Sequence, residues 1–125
     1  MRPNDRKYLK THEWCKIENG VATLGITDHA VAELSDLVFL DLPAPGAAIT
    51  AGQAFGEIES VKAVHDLYSG VSGKVIETND TLTEDLETLA RDPFGAGWMV
   101  KIQVTAQSPD LVDAAAYEEL IDSED

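Results

Sequence analysis

The sequence predicts a mainly β fold, a sandwich or a flattened barrel, with one short internal helix and a C-terminal helix. Short runs rich in β-branched residues alternate with turn signals over most of the chain, which is typical of strands. These runs follow one another at even spacing within only 125 residues, and such spacing favours a small barrel or sandwich. After Ser108 the apolar residues recur at helical spacing instead.

A hairpin and a helix are predicted near the start of the chain. Residues 20–27 alternate and are rich in β-branched side chains, so they are predicted to form a strand. The Asn-Gly pair before this run is a strong hairpin signal, which makes residues 14–18 the partner strand. Residues 28–34 are predicted to form a short helix whose N-cap is Thr27 or Asp28.

Three strands are predicted in the middle of the chain. Residues 37–42 form an apolar run that ends at a Pro-Ala-Pro-Gly loop, because proline cannot donate to a strand ladder. Two further strands, residues 53–61 and 63–69, flank Lys62. The two glycines and the serine within residues 70–73 are predicted to break the chain before the next strand.

The last strands and the C-terminal helix complete the predicted fold. Strands are predicted for residues 74–78 and 98–104, with a short irregular or helical piece at 83–90 between them. Ser108 is predicted to be the N-cap of the C-terminal helix, with Pro109 at its first position. The chain then ends in a polar, acidic tail.

The charge of the chain excludes some classes of partner. It contains 23 acidic and 9 basic residues, which gives a formal net charge of −14. Phosphate binding needs lysine and arginine, so we expect no nucleic-acid partner. An anionic membrane surface is disfavoured for the same reason. The acidity favours solubility and encounter with partners that have basic surfaces.

Other features bear on the compartment. The apolar runs are too short to span a bilayer, and the first residues lack the apolar core of a secretory signal. The single cysteine, Cys15, cannot form an internal disulfide and is predicted to be a small buried hydrophobe. We therefore expect a cytoplasmic protein of a bacterium, or a mitochondrial matrix protein if the chain is a processed eukaryotic one.

No catalytic motif is present, so the chain is predicted not to be an enzyme. It lacks a nucleophile elbow, a P-loop, a dinucleotide-binding glycine motif and a Cys-x-x-Cys motif. The histidines His12, His29 and His65 are not spaced three or four residues apart, which excludes a two-histidine zinc site on one helix. We expect scattered surface or capping histidines and no metal.

The segment around Lys62 is the one that indicates chemistry. Lys62 lies between two β runs and has apolar neighbours on both sides. At the tip of a hairpin its amine would be exposed on a rigid mount, which is the geometry that a modifying enzyme needs. The alternative is an ordinary surface lysine, since short motifs are weak evidence on their own.

Further motifs occur in order from about residue 8 to residue 117, and together they identify a family. They are Tyr8 with Thr11-His12-Glu13-Trp14, Gly25-Ile26-Thr27-Asp28-His29-Ala30, Val38-Phe39-Leu40-Asp41-Leu42-Pro43 with Gly46, Glu59-Ser60-Val61-Lys62-Ala63, Gly73-Lys74-Val75 with Asn79 and Leu82, Asp92-Pro93-Phe94 with Gly97-Trp98, and Ala116-Tyr117. In these motifs the chain resembles the H proteins of the glycine cleavage system. The resemblance covers a single lipoyl-carrier domain, residues 1–125, with an acidic tail after residue 117.

The resemblance implies a fold and a role. The fold is a barrel-sandwich hybrid of β-strands with a C-terminal helix, and Lys62 is amide-linked to lipoate by a lipoate ligase or a lipoyl or octanoyl transferase. The lipoyl arm carries the aminomethyl group of glycine from the pyridoxal-phosphate-dependent glycine decarboxylase to the tetrahydrofolate-dependent aminomethyltransferase. Dihydrolipoamide dehydrogenase then reoxidises the arm. We expect a monomeric, non-catalytic carrier whose cofactor supplies the chemistry.

Three carboxylates are candidates for auxiliary roles. Glu59 lies three residues before Lys62, where a ligase can read its charge. Glu13 lies in a family motif and is predicted to dock the loaded arm, with its neighbours His12 and Trp14 forming part of an apolar wall. Asp66, four residues beyond Lys62, is a second docking candidate. For each of them the alternative is an ordinary solvated carboxylate.

Other functions remain open on sequence grounds. An H-like protein that donates lipoyl groups to other enzymes would need the same lysine. A biotinyl or acyl-chain lipoyl domain of a larger enzyme is a third possibility. Valine and alanine flank Lys62 where biotin domains have methionines, and the standalone length and the His12-Glu13-Trp14 opening also disfavour it. Four positions depart from the family pattern: Ser35, Gly70, Arg91 and Phe94. Of these, Gly70 is expected to loosen the loop after the strand that follows Lys62.

Overall fold

The structure is a computed structural model that describes residues 2–124, except for the side chain of Glu124. The described residues form nine strands and four helices. In chain order these are β1 (Lys7–Tyr8), β2 (Glu13–Glu18), β3 (Val21–Ile26), α1 (Asp28–Leu34), β4 (Leu37–Asp41), β5 (Ala48–Ile49), β6 (Ala54–Ser60), β7 (Val64–Tyr68), β8 (Val71–Thr78), α2 (Asp80–Glu84), α3 (Leu86–Arg91), β9 (Val100–Gln107) and α4 (Ala114–Glu124).

The strands form two antiparallel sheets. The larger sheet has six strands in the order β1-β2-β3-β9-β8-β5, and the smaller has three in the order β4-β6-β7. Within the described residues neither sheet closes on itself, so the fold is an open barrel-sandwich hybrid and the predicted fold class is confirmed. The sheet order leaves β7 at an edge of the smaller sheet, which matters for the site below.

One apolar core joins the two sheets. Leu24 and Ile102 of the larger sheet and Ile58 and Leu67 of the smaller sheet belong to the same buried cluster. These four side chains are each at most 2% exposed. Truncating such a leucine or isoleucine to alanine removes about 2–5 kcal/mol of stability, because a cavity remains where the side chain was.

A second cluster, which is aromatic, packs α4 against the larger sheet. The rings of Tyr8 and Tyr117 stack with their centroids 4.7 Å apart. Trp14 is buried beside them, and its indole N–H donates to the carbonyl oxygens of Ile26 and Pro93 at 3.0 and 3.1 Å. The C-terminal helix is therefore part of the folded unit.

The predicted start of the C-terminal helix was wrong. The helix begins at Ala114, and Asp113 caps it by accepting a hydrogen bond of 2.9 Å from the N–H of Ala116. Ser108 instead organises a turn before the helix. The reason is a long-range contact: Val112 and Tyr8 exchange two backbone hydrogen bonds of 2.8 Å, which hold Val112 in an extended conformation.

Two expectations about glycines were also wrong. The chain does not break at residues 70–73, because β8 begins at Val71 and absorbs a register shift between Ser72 and Gly73. Gly70 is not a loose position either, since it is buried and a Cβ there would lie 2.5 Å from Leu111. The absence of a side chain at Gly70 makes room for Leu111.

Most of the local predictions are confirmed. The Asn-Gly turn joins β2 to β3, and α1 spans the predicted residues. Thr27 is the N-cap of α1, because its hydroxyl accepts from the N–H of Ala30 at 3.2 Å. The piece at 83–90 resolves into parts of two short helices, α2 and α3. The two-residue strands β1 and β5 were missed, since they are too short to show alternation.

Candidate functional site

Lys62 lies in the turn between β6 and β7, at the tip of a hairpin, as the sequence predicts. Ser60 organises this turn. Its N–H donates to the carbonyl oxygen of Ala63 at 2.9 Å, and its hydroxyl accepts from the N–H groups of Lys62 and Ala63 at 3.3 Å each. The backbone of Lys62 is thereby held while its side chain is exposed to solvent.

A further hydrogen bond anchors the tip to the rest of the protein. The N–H of Val61 donates to the carbonyl oxygen of Asp36 at 3.0 Å, which ties the turn to the segment between α1 and β4. No described residue forms an ion pair with the Lys62 ammonium. The tip therefore presents a free amine on a turn whose backbone is held by the two paired strands and by hydrogen bonds within the turn.

Exposed apolar side chains surround the tip. Val61 and Val64 are 65% and 57% exposed, and Val38 and Phe39 on the neighbouring β4 are 54% and 47% exposed. We call these four residues the tip patch. Exposed apolar groups that cluster beside a reactive group are typical of interaction surfaces. The tip patch is therefore an exposed apolar surface next to the Lys62 side chain.

A groove of about 540 Å³ begins beside the tip. It runs along the edge strand β7, between that strand, the segment from Lys10 to Glu13, and α1. Val64, two residues from Lys62, lies on its wall, and so do Ile58 and Leu67. The groove thus places partly apolar walls within reach of anything attached to the Lys62 side chain.

Glu13 is the buried carboxylate of this groove. It is only 3% exposed, and it accepts hydrogen bonds from the Thr11 hydroxyl and from the N–H of Tyr68, the latter at 2.9 Å. Burial raises the pKa of Glu13 to about 7, and the groups that oppose this shift are hydrogen-bond donors, none of them a cation. A buried carboxylate of this kind is stabilised by any positive charge that binds next to it.

The other two candidate carboxylates lie in different places. Asp66 is exposed and lines the same groove as Glu13, so the structure brings these two together. Glu59 is half-buried on β6 and is outside the groove, opposite Val64 and Phe39 of the tip patch. Its position beside the tip agrees with a role in recognition rather than in docking.

Trp14 does not line the groove, contrary to the sequence-based expectation. Successive residues of a strand point to opposite faces, so Glu13 faces the groove while Trp14 belongs to the aromatic cluster under α4. Thr11 and Tyr68, which donate hydrogen bonds to the Glu13 carboxylate, were not predicted as site residues. Thr11 lies in the same motif as Glu13, and this was the available signal. The backbone N–H of Tyr68 has no sequence signal.

Asp66 also belongs to a row of carboxylates across the smaller sheet. It lies opposite Glu57 on β6, and Glu57 lies opposite Asp41 on β4. Like charges directly opposite one another in a sheet are destabilising. The row is therefore a local concentration of the negative charge that the whole sequence shows, close to the groove.

The expectation of scattered histidines was wrong for two of the three. The rings of His12 and His29 lie 4.5 Å apart between centroids, beside Glu33. The Nε2 atoms of the two histidines lie 3.8 and 3.4 Å from the same carboxylate oxygen of Glu33. His65 is exposed on β7 and takes no part in this cluster.

None of the helices in residues 2–124 has the length and apolar character that a membrane span requires.

Comparisons with known proteins agree with the fold. A family model described as "Glycine cleavage H-protein" matches residues 6–124. The glycine cleavage system H protein of Rubrobacter xylanophilus is 48% identical over 123 residues, covering 98% of this chain and 97% of that protein. The H protein of Beutenbergia cavernae is 48% identical over 122 residues, covering 98% of each chain.

A solved structure shows the same similarity in three dimensions. The crystal structure of a glycine cleavage system H protein from Mycobacterium marinum superposes with a TM-score of 0.93 at 40% sequence identity. The match covers 97% of this chain and 99% of that one. The chain therefore belongs to the glycine cleavage H-protein family.

Proposed function

We propose that this protein is the lipoyl carrier of a glycine cleavage system and that Lys62 is the residue that carries the lipoyl group. The observation that carries the proposal is the position of Lys62, alone at the tip of the β6–β7 hairpin within the Glu-Ser-Val-Lys-Ala motif. The residues present fit a lipoyl group. An exposed amine is available for acylation, and a groove that contains a buried carboxylate starts beside it.

Each part of the tip has a task in this proposal. The Lys62 amine attacks an activated acyl carbonyl in a ligase or a transferase, loses a proton and forms an amide bond while the activating group leaves. Ser60 holds the turn so that the amine projects away from both strands. The tip patch and Glu59 form the surface that the modifying enzyme reads.

When bound, the lipoyl group supplies a dithiolane that accepts the aminomethyl group of glycine and is later returned to its oxidised form. The chain itself contributes a tether, which raises the effective concentration of the arm at each active site it visits. The partners are glycine decarboxylase, the aminomethyltransferase and dihydrolipoamide dehydrogenase. The acidic row of Asp41, Glu57 and Asp66 favours encounter with basic surfaces on these enzymes.

The groove would hold the loaded arm between these visits. An aminomethyl group carries an amine that is cationic at neutral pH, and Glu13 is a buried carboxylate whose existing partners are uncharged donors. A cationic amine docked beside Glu13 would receive a charge-assisted hydrogen-bond partner that is shielded from water. Asp66, exposed on the groove wall, is the second docking candidate within the same space.

An intact-mass measurement tests the proposal. The purified chain is incubated with lipoate, ATP and a lipoate ligase, and we expect the mass to rise by one lipoyl group. Lys62→Arg keeps the positive charge but has no acylatable amine, so it should fold normally and gain no mass. Lys74→Arg, at an exposed lysine on β8, is the matched control and should be modified like the parent. Modification of Lys62→Arg at another lysine would show that Lys62 is not the attachment site.

A further inference from the structure

The side chains of His12, His29 and Glu33 form a cluster beside the groove, and two of them, His12 and Glu33, line it. We propose that these three side chains form a binding site for a divalent transition-metal ion of the zinc class. The site does not depend on lipoylation of Lys62.

Local structure places the three side chains together. His29 and Glu33 are four residues apart on α1, so they lie on one face of the helix. His12 precedes β2 and has φ of 80°, a left-handed conformation that histidine adopts infrequently. The carbonyl oxygen of His12 accepts from the N–H of Thr27 at 3.0 Å, which fixes this residue beside the start of α1.

The distances suit a metal after small side-chain movements. One ligand atom from each of His12, His29 and Glu33 can be chosen so that all three lie within 4.8 Å of one another. Ligand atoms of a tetrahedral zinc ion lie about 3.3 Å apart, as follows from bonds of about 2.0–2.1 Å. The 3.4 Å between His29 Nε2 and Glu33 Oε1 is already close to this separation. The Glu33 side chain is 60% exposed, so it can rotate to shorten its 3.8 Å distance to His12 Nε2.

A hydrogen-bonded chain of buried side chains orients His12. Its Nδ1 lies 2.7 Å from the Tyr117 hydroxyl, and that hydroxyl lies 2.8 Å from the Thr27 hydroxyl. Both Tyr117 and Thr27 are fully buried. When Nδ1 donates to Tyr117, Nε2 is left unprotonated and turned toward Glu33, which is the form that binds a metal. Second-shell contacts of this kind fix the tautomer and orientation of metal-binding histidines.

The donor atoms favour a particular class of ion. Two imidazole nitrogens and one carboxylate oxygen form a common zinc-binding set that leaves one coordination position open. Calcium and magnesium prefer oxygen ligands and are therefore disfavoured. Because His12 and Glu33 also line the groove, the open position is available to water or to a ligand in the groove. Helical spacing of histidines does not detect this site, since His12 comes from a different segment.

Metal titration of the full-length chain tests the site. The protein is stripped with a chelator and titrated with Zn²⁺ in a calorimeter, and Co²⁺ binding is followed by its visible absorption, which reports coordination geometry. The variants are His29→Gln and Glu33→Gln. His65→Gln is the matched control, because His65 is an exposed histidine on the wall of the same groove but outside the cluster.

We expect the parent and His65→Gln to bind one Zn²⁺ with equal affinity. Each of His29→Gln and Glu33→Gln should weaken binding by at least about tenfold and change the Co²⁺ spectrum. Melting curves recorded in chelator establish whether the variants fold. If His29→Gln does not fold, the metal affinity of Glu33→Gln, which changes an exposed side chain, decides the test. Absence of binding by the parent, or equal binding by a folded cluster variant, would overturn the proposal. Loss of binding in His65→Gln alone would place the ion elsewhere.

Discussion

The carboxylate of Glu13 accepts a hydrogen bond of 2.9 Å from the backbone N–H of Tyr68. Glu13 is the first residue of β2, and Tyr68 is the last residue of β7, so this bond links the edge of the smaller sheet to the larger sheet. It also holds the carboxylate inside the groove. Glu13 therefore links the two sheets and is also the candidate partner of a cationic ligand. A variant that tests ligand binding must keep the hydrogen bond to Tyr68.

Glu13→Gln preserves the acceptor for Tyr68 and removes the charge. We expect it to fold and to be lipoylated like the parent, while the aminomethyl-loaded arm breaks down several-fold faster, because the cationic amine loses its charged partner. Release of formaldehyde and ammonia from the loaded carrier measures this rate. Asp66→Asn should have a smaller effect, since Asp66 is exposed.

The control for this experiment is Glu84→Gln, at an exposed glutamate on α2 outside the groove, which should leave the decay rate unchanged. Glu13→Ala separates the structural task, because it leaves the N–H of Tyr68 without its partner and should cost about 1–3 kcal/mol of stability. Equal decay of loaded Glu13→Gln and loaded parent would remove Glu13 from the docking site.

Glu59 offers a test of recognition at the tip. It is half-buried beside the tip patch and lies outside the groove. Glu59→Gln should slow lipoylation several-fold in a ligase time course and leave the melting temperature nearly unchanged, because a partly exposed charge contributes little to stability. Glu77→Gln, at an exposed glutamate on β8, is the matched control. An unchanged rate for Glu59→Gln would mean that the ligase does not read this charge.

The acidic surface predicts a salt-dependent encounter with the partner enzymes. With a net charge of −14 and the carboxylate row of Asp41, Glu57 and Asp66 near the groove, long-range attraction to basic surfaces should raise the association rate. Binding to the decarboxylase or the aminomethyltransferase, measured by surface plasmon resonance, should weaken as ionic strength rises. Glu57→Gln should reduce the salt dependence. A flat response would leave the acidity as a solubility feature.

Local signals in the sequence predict a large part of this structure. The Asn-Gly turn between β2 and β3, the helix α1 with its Thr27 cap and the hairpin that carries Lys62 are each encoded within a few neighbouring residues. Turn chemistry, capping and strand alternation act over such distances. The tip of the site was predictable for this reason.

Features that depend on distant contacts were not predictable. The start of α4 is set by the pairing of Val112 with Tyr8. The burial of Glu13 depends on Tyr68, and the cluster of His12 and His29 depends on how the segment before β2 meets α1. These contacts form only in the folded chain, and no periodicity within one segment reports them.

Ser35 provides a prediction about stability. It ends α1 with φ of 65° and ψ of −128°, a conformation that glycine adopts without strain and serine does not. Ser35→Gly should therefore raise the free energy of unfolding by about 1 kcal/mol, or the melting temperature by about 4 °C. Ser35→Ala is the control, since it keeps the Cβ and should give no increase. A melting temperature for Ser35→Gly at or below that of the parent would contradict the assignment of strain.

Cys15 provides a prediction about pH. The thiol is 1% exposed, and burial raises its pKa from 9.0 to about 11, with a smaller opposing effect of Lys7. The unfolded chain therefore loses this proton at lower pH than the folded chain, so the folded state holds more protons between the two pKa values and stability falls as pH rises through that range. Integrated over the range, this loss is about 2–3 kcal/mol at most. Cys15→Ala removes the titrating group, and its denaturant midpoint should fall less than that of the parent between pH 9 and 11, even though the cavity lowers its stability at neutral pH.

Alkylation gives an independent measure of the same burial, because a buried protonated thiol is a poor nucleophile. Iodoacetamide should react with native Cys15 far more slowly than with the chain unfolded in guanidinium. Rapid alkylation of the folded protein, or parallel pH profiles for parent and variant, would show that the thiol is not shielded in solution.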